Sequence, residues 1–155
     1  MNKNWLKQNV LLIIFAVFTA SYAVLLLINT QLGPTDDFIF LKTLQAGKPI
    51  LYYSQSFPYY DAAKLGRFTP MTAMEYNLIG LFSKSPSAFW YYLVNTVQFI
   101  ILMILLAKLL SKFTSNKFII YLTPILLSLI QGFTISWFRL QIGERNVLLY
   151  LTAFL

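Results

Sequence analysis

Three long uncharged runs dominate the hydrophobic pattern of the chain. Val10–Ile28 holds 19 residues without a charge, and at about 1.5 Å per residue such a run crosses a hydrocarbon core of roughly 30 Å. Phe89–Ala107 and Phe118–Phe138 are also uncharged and long enough. The pattern therefore predicts spans over about 10–28, 89–110 and 118–138. A fourth apolar run starts at Val147 and reaches Leu155 after nine residues, too few to cross alone. A sequence that stops inside an apolar run is expected to be the N-terminal part of a longer protein, with a fourth span starting at 147. Polar positions within the spans are few. Asn95 and Gln98 are three apart and share a helix face, and Gln131 lies in the third run. Amides avoid lipid, so these faces are expected to turn into the bundle, more as interhelical hydrogen bonds than as substrate ligands.

The connection from 32 to 87 is too long for a turn and carries its own helix signals. Thr35 is placed to cap a helix over 36–45, with Phe38, Leu41 and Leu44 on one face and Gly47-Lys48-Pro49 closing it. Thr69-Pro70 opens a second helix over 70–81, with Met71, Met74, Leu78 and Leu81 as its apolar stripe, and Ser85-Pro86 repeats the start signal before the second span. Between them lies an irregular aromatic stretch from Tyr52 to Asp61, suited either to an interfacial aromatic belt or to stacking on a sugar or prenyl chain. The expected architecture is an all-α, multi-span helical bundle, one membrane domain over 1–155, whose long first outer loop carries short surface helices.

Composition agrees, since 58% hydrophobic and 11% charged residues describe an integral membrane protein. The net charge of +7 then reports topology and not nucleic-acid binding. Lys3 and Lys7 precede the first span, Lys108, Lys112 and Lys117 surround the short second connection, and neither segment carries an acid. By the positive-inside rule both face the cytoplasm. All five acids, Asp36, Asp37, Asp61, Glu75 and Glu144, then fall on the opposite face. Ser21-Tyr22-Ala23 weakly resembles a signal-peptide cleavage site, but the apolar run continues through Val24–Ile28, so the first span is expected to be an uncleaved anchor. Without cysteine or histidine, thiol nucleophiles, disulfides, His-based triads and the usual zinc sites drop out. Carboxylate, Arg, Lys and Tyr remain as catalytic vocabulary.

Asp36 and Asp37 stand just past the first span, in Gly33-Pro34-Thr35-Asp36-Asp37. Carboxylates in a first turn satisfy free N–H groups and the positive end of the dipole. Neighbouring residues point about 100° apart, so one can cap while the other acts on a ligand. Arg67 offers a planar fork to a donor phosphate, or else snorkels to headgroups or pairs with Asp61. Glu144-Arg145 is a second charged pair at the expected outer mouth of the fourth span, suited to a metal or acceptor, to a phosphate, or to its own salt bridge.

Asp36-Asp37 after the first span, the predicted surface helix behind it, and Gly66-Arg67-Phe68-Thr69-Pro70 with Glu75-Tyr76-Asn77 resemble the N-terminal region of bacterial polytopic GT-C superfamily glycosyltransferases. These enzymes take sugars from polyprenyl-phosphate donors. The resemblance implies a catalytic base at Asp36 with Asp37 as its partner, although Asp stands where Glu is common at the second position. It implies a lipid-linked sugar donor and membrane lipid as partners, donor-phosphate contacts at Arg67 and Arg145, and Glu144 toward a metal or the acceptor. The metal is unspecified, with a divalent ion as the candidate cofactor, and the location is the bacterial inner membrane with a cytoplasmic N-terminus. The rival expectation is a non-enzymatic scaffold or transporter subunit. Transporters show charged or broken mid-membrane segments, whereas these runs hold only amides and one mid-span proline, Pro124, which argues against transport. A polysaccharide polymerase or ligase would share the donor but depend on basic residues.

An impermeant thiol reagent applied to intact cells should label Ser54→Cys and Asp61→Cys and spare Ser115→Cys. The opposite pattern would invert the topology.

Overall fold

The computed structural model describes residues 3–28, 30, 79, 87–138 and 144–155. Among them all regular secondary structure is helical: α1 is Lys3–Ile28, α2 Ala88–Phe113, α3 Lys117–Ser128, α4 Gln131–Phe138 and α5 Glu144–Phe154. This is a membrane protein, since α1 over Asn9–Ile28 and α2 over its full length are long and apolar enough to cross a bilayer. The helices expected over 36–45 and 70–81 and the aromatic stretch between them lie outside the described residues, apart from Ile79, which is helical.

Neither α1 nor α2 contains Gly or Pro, so nothing interrupts the i→i−4 ladder for 26 residues in each. Two threonine hydroxyls bond back to the preceding turn, Thr19 to the Phe15 carbonyl at 2.8 Å and Thr96 to that of Tyr92 at 2.8 Å. α2 ends where Thr114 turns to extended backbone (φ −151°, ψ 147°). Lys112 stands in the last turn, where the helix dipole favours a cation. Asn116 then caps α3, its Oδ1 accepting from the Phe118 N–H at 3.0 Å. Thr114, Ser115 and Asn116 thus make a three-residue reversal that sets α2 and α3 antiparallel.

α2 is the central helix and packs against all four others. Its buried stripe, Tyr92, Asn95, Phe99, Leu102 and Met103 among others, repeats at helical spacing. Phe99 is wholly buried, stacked on Tyr22 of α1 (centroids 4.5 Å apart) and meeting the edge of Trp137 of α4 at 5.4 Å. Phe15 meets Tyr121 at 5.6 Å and Tyr22 meets Phe138 at 5.9 Å, so α1 runs in the direction of α3 and α4. The lipid-facing surface is apolar, with Val17, Val97, Leu126 and Leu151 among its exposed side chains.

The expected third span over 118–138 is not one helix. α3 and α4 are separate pieces bent by 67° at Leu129–Ile130. An unbroken helix of that length would advance about 31 Å. The bent pair advances only about 23 Å, because α4 contributes roughly 5 Å along the α3 direction. Pro124 lies inside α3 and is buried, and the bend comes a full turn later. There the Leu129 and Ile130 amides bond back only three residues, to Leu126 and Leu127. The Ser128 carbonyl, which a continuous helix would give to residue 132, accepts instead from the Thr134 hydroxyl at 3.0 Å. The bend also turns Gln131 outward. It is exposed, contrary to the expectation that it faces the bundle, because the 67° bend takes α4 off the straight axis on which that face was reckoned.

Thr134→Val removes the donor on Ser128 while preserving shape, and should cost about 1–3 kcal/mol by leaving a buried carbonyl unpaired. Thermal denaturation in detergent should show the loss for Val and largely normal stability for Thr134→Ser.

Candidate functional site

The interior polar groups of the bundle converge on the C-terminal end of α4. The last carbonyls of any helix have no partner within it, and in a lipid environment each unsatisfied group costs several kcal/mol. Here three successive ones are met by side chains from other helices. The Tyr92 hydroxyl donates to the Phe138 carbonyl at 2.9 Å, the Asn95 Nδ2 to the Trp137 carbonyl at 3.4 Å, and the Arg145 Nη1 to the Ser136 carbonyl at 3.2 Å. The same guanidinium lies over the Trp137 ring, 5.6 Å from its centroid, within cation–π range. A cation also answers the negative end of the α4 dipole.

Arg145 is 2% exposed and is the one buried charged side chain among the described residues. It reaches this place because α5 begins at Glu144, three residues before the expected start at 147, so that Arg145 and Asn146 stand in its first turn. Beside it the Gln98 Nε2 donates to the Asn146 Oδ1 at 3.4 Å, tying α2 to α5. The Lys112 ammonium donates to the Leu155 carbonyl at 2.8 Å, so α2 and α5 run in the same direction. The expectation for the amides of α2 thus holds: Asn95 is fully buried and both make interhelical bonds. The Trp137 indole N–H, also buried, has no acceptor among the described residues. It lies among the rings of Phe99 and Phe133.

Asp36, Asp37 and Arg67 lie outside the described residues. Glu144 is the first residue of α5, described by its backbone. Arg145, expected at an outer mouth, is turned inward onto α4 and Trp137. Tyr92, Trp137 and Asn146 complete the cluster and were not among the expected site residues. Tyr92 had a signal, since it stands three residues before Asn95 on the same face. Among the described residues no three of His, Cys, Asp and Glu come together as a metal site. The arrangement offers a fixed cation, two amides and a phenol around a helix end, which positions backbone and supplies positive field but holds no described proton acceptor of carboxylate type. Comparisons of the chain with protein-family models, with curated proteins and with solved structures find no match.

Arg145→Met should leave the Ser136 carbonyl short of its donor and lower stability by about 1–3 kcal/mol. Arg145→Lys should recover part of this, because an ammonium keeps the charge but lacks the planar face for Trp137. Thermal unfolding followed by tryptophan fluorescence distinguishes the three proteins.

Proposed function

We propose that this chain is, or belongs to, a membrane glycosyltransferase that moves a sugar from a polyprenyl-phosphate donor to an acceptor on the extracytoplasmic side of the bacterial inner membrane. The observation that supports the reading is charge segregation around α1. Lys3 and Lys7 stand at its start, and Asp36-Asp37 follow eight residues after its end at Ile28. Eight residues reach at most about 28 Å, which bounds how far the carboxylates lie from the end of the first span, the side on which a lipid-borne donor would present its phosphate in this reading.

In this mechanism Asp36 takes the proton of the acceptor hydroxyl as its oxygen attacks the anomeric carbon, and the lipid phosphate leaves with the bonding pair. Asp37 orients Asp36 or caps the helix behind it. A phosphate leaving group needs positive charge more than it needs an acid. Arg67 is assigned to direct contact, and Arg145, already bonded to α4, contributes field and holds Glu144 in place. A divalent ion on the carboxylates would serve the same end.

One observation favours the rival reading of a transporter subunit. Transporters carry broken or charged segments within the membrane, and the α3–α4 bend with the buried Arg145 supplies both. The glycosyltransferase reading is preferred because the acid pair borders the first span, whereas the α4 end has its described carbonyls already bonded and is built for holding position.

Transfer of labelled sugar from polyprenyl phosphate, in membranes matched for expression, should fall about 10²- to 10⁴-fold in Asp36→Asn and less in Asp37→Asn, since Asn also caps helices well. Undiminished transfer by Asp36→Asn removes it as the base.

A further inference from the structure

The turn between α2 and α3 carries a pattern that the proposed chemistry does not use. Lys112-Phe113 stands before the three-residue reversal and Lys117-Phe118 after it, with Lys108 one turn earlier on α2. All five side chains are exposed, Phe113 to 80% and Phe118 to 60%. Lys112 sits where the α2 dipole favours a cation and bonds to the Leu155 carbonyl. Lys117 is the first residue of α3, the end where the dipole disfavours a cation. Lys108 is exposed on the side of α2 one turn before Lys112.

Two phenylalanine rings so exposed are costly in water and favourable in acyl chains. They fix the depth of the turn: Phe113 and Phe118 sit at the top of the hydrocarbon and the neighbouring ammonium groups at phosphate level, reached by their flexible stems. α1 runs in the direction of α3, so Lys3 and Lys7, in its first two turns, stand at the same end. Residues 88–138 contain no acid to neutralise this charge. The geometry points to an anionic-phospholipid site at the α2–α3 turn, in which Lys108, Lys112 and Lys117 hold headgroup phosphates while Phe113 and Phe118 anchor between acyl chains. This is independent of the glycosyltransferase reading, since it needs only that the turn lies at a bilayer surface.

The test places the full chain in nanodiscs of equal parts phosphatidylglycerol and phosphatidylcholine and quantifies by mass spectrometry the lipid that stays bound on transfer to detergent. The wild-type protein should retain phosphatidylglycerol in excess. Each lysine at an anionic surface contributes a factor of about five, so Lys108→Gln/Lys112→Gln/Lys117→Gln should lose most of the excess, and the triple Arg counterpart should keep it. Folding of variants is bypassed by a salt series on the wild type. Raising salt from about 0.01 M to about 1 M shortens the screening length from roughly 30 Å to roughly 3 Å and should abolish the preference. Inorganic phosphate at matched ionic strength should not displace the lipid; if it does, the site is one for free phosphate and the assignment fails. Equal retention of the two lipids by the wild type, or an excess untouched by the triple Gln variant, overturns the proposal.

Discussion

A helix that stops inside an apolar bundle leaves carbonyls that water cannot reach, and most of the interior follows from how α4 meets that demand. Three donors from two helices are required, Tyr92 and Asn95 on α2 and Arg145 on α5. Tyr92 and Asn95 must stand one turn apart to reach carbonyls of consecutive residues, which sets the rotation of α2. Arg145 must enter the bundle at the same depth, which sets the start of α5, and the Gln98–Asn146 bond then falls into register a turn further along. Interhelical hydrogen bonds in membrane proteins are individually worth only about 0.6–2 kcal/mol. Leaving the carbonyls bare costs several kcal/mol each, so avoidance of an unpaired end, more than gain from any one bond, decides the arrangement.

The choice of arginine follows from the same site. Its planar cation donates along one edge to Ser136 while its face lies over Trp137, so a single side chain answers the helix dipole, one carbonyl and an aromatic ring. Trp137 in turn meets Phe99, and Phe99 stacks on Tyr22. The polar cap of α4 and the aromatic core are therefore one continuous structure linking α5 through α4 and α2 to α1.

The outline of this fold was legible in the sequence, and its break was not. Uncharged length marks α1 and α2 because hydrocarbon thickness imposes that length, and the three-residue spacing of Asn95 and Gln98 marks the inward face of α2. The apolar run through Leu129 and Ile130 shows no interruption, because both halves of a bent span face the same lipid and carry the same residues. Pro124, the visible warning, stands a turn too early, and the group that completes the bend is the hydroxyl of Thr134, an ordinary residue in a membrane helix. Gln131 was misplaced for the same reason: a face computed on a straight helix is lost at a 67° bend. Arg145 beside an apolar run reads as a residue at the membrane mouth, since its partners are backbone carbonyls and these leave no mark in a side-chain pattern. Asp36, Asp37 and Arg67, expected as site residues from their position past the first span, fall in the stretch outside the described residues.

The two ends of the bundle divide the polar work. One end carries Lys3, Lys7, Lys108, Lys112 and Lys117 without an acid, on short and regular connections suited to a phosphate-bearing surface. Four of the five acids, with Arg67, fall in the sequence between α1 and α2, and the fifth, Glu144, opens α5 beside Arg145. Among the described residues it is at the start of α5 that an acid and a guanidinium stand side by side in the chain, as Glu144 and Arg145. The α4 cap lies just inside that end and fixes where α5, and with it Glu144, enters the bundle. The start of α5 is thereby held at constant depth, since the carbonyls of α4 forbid this polar floor to shift without breaking several buried bonds together.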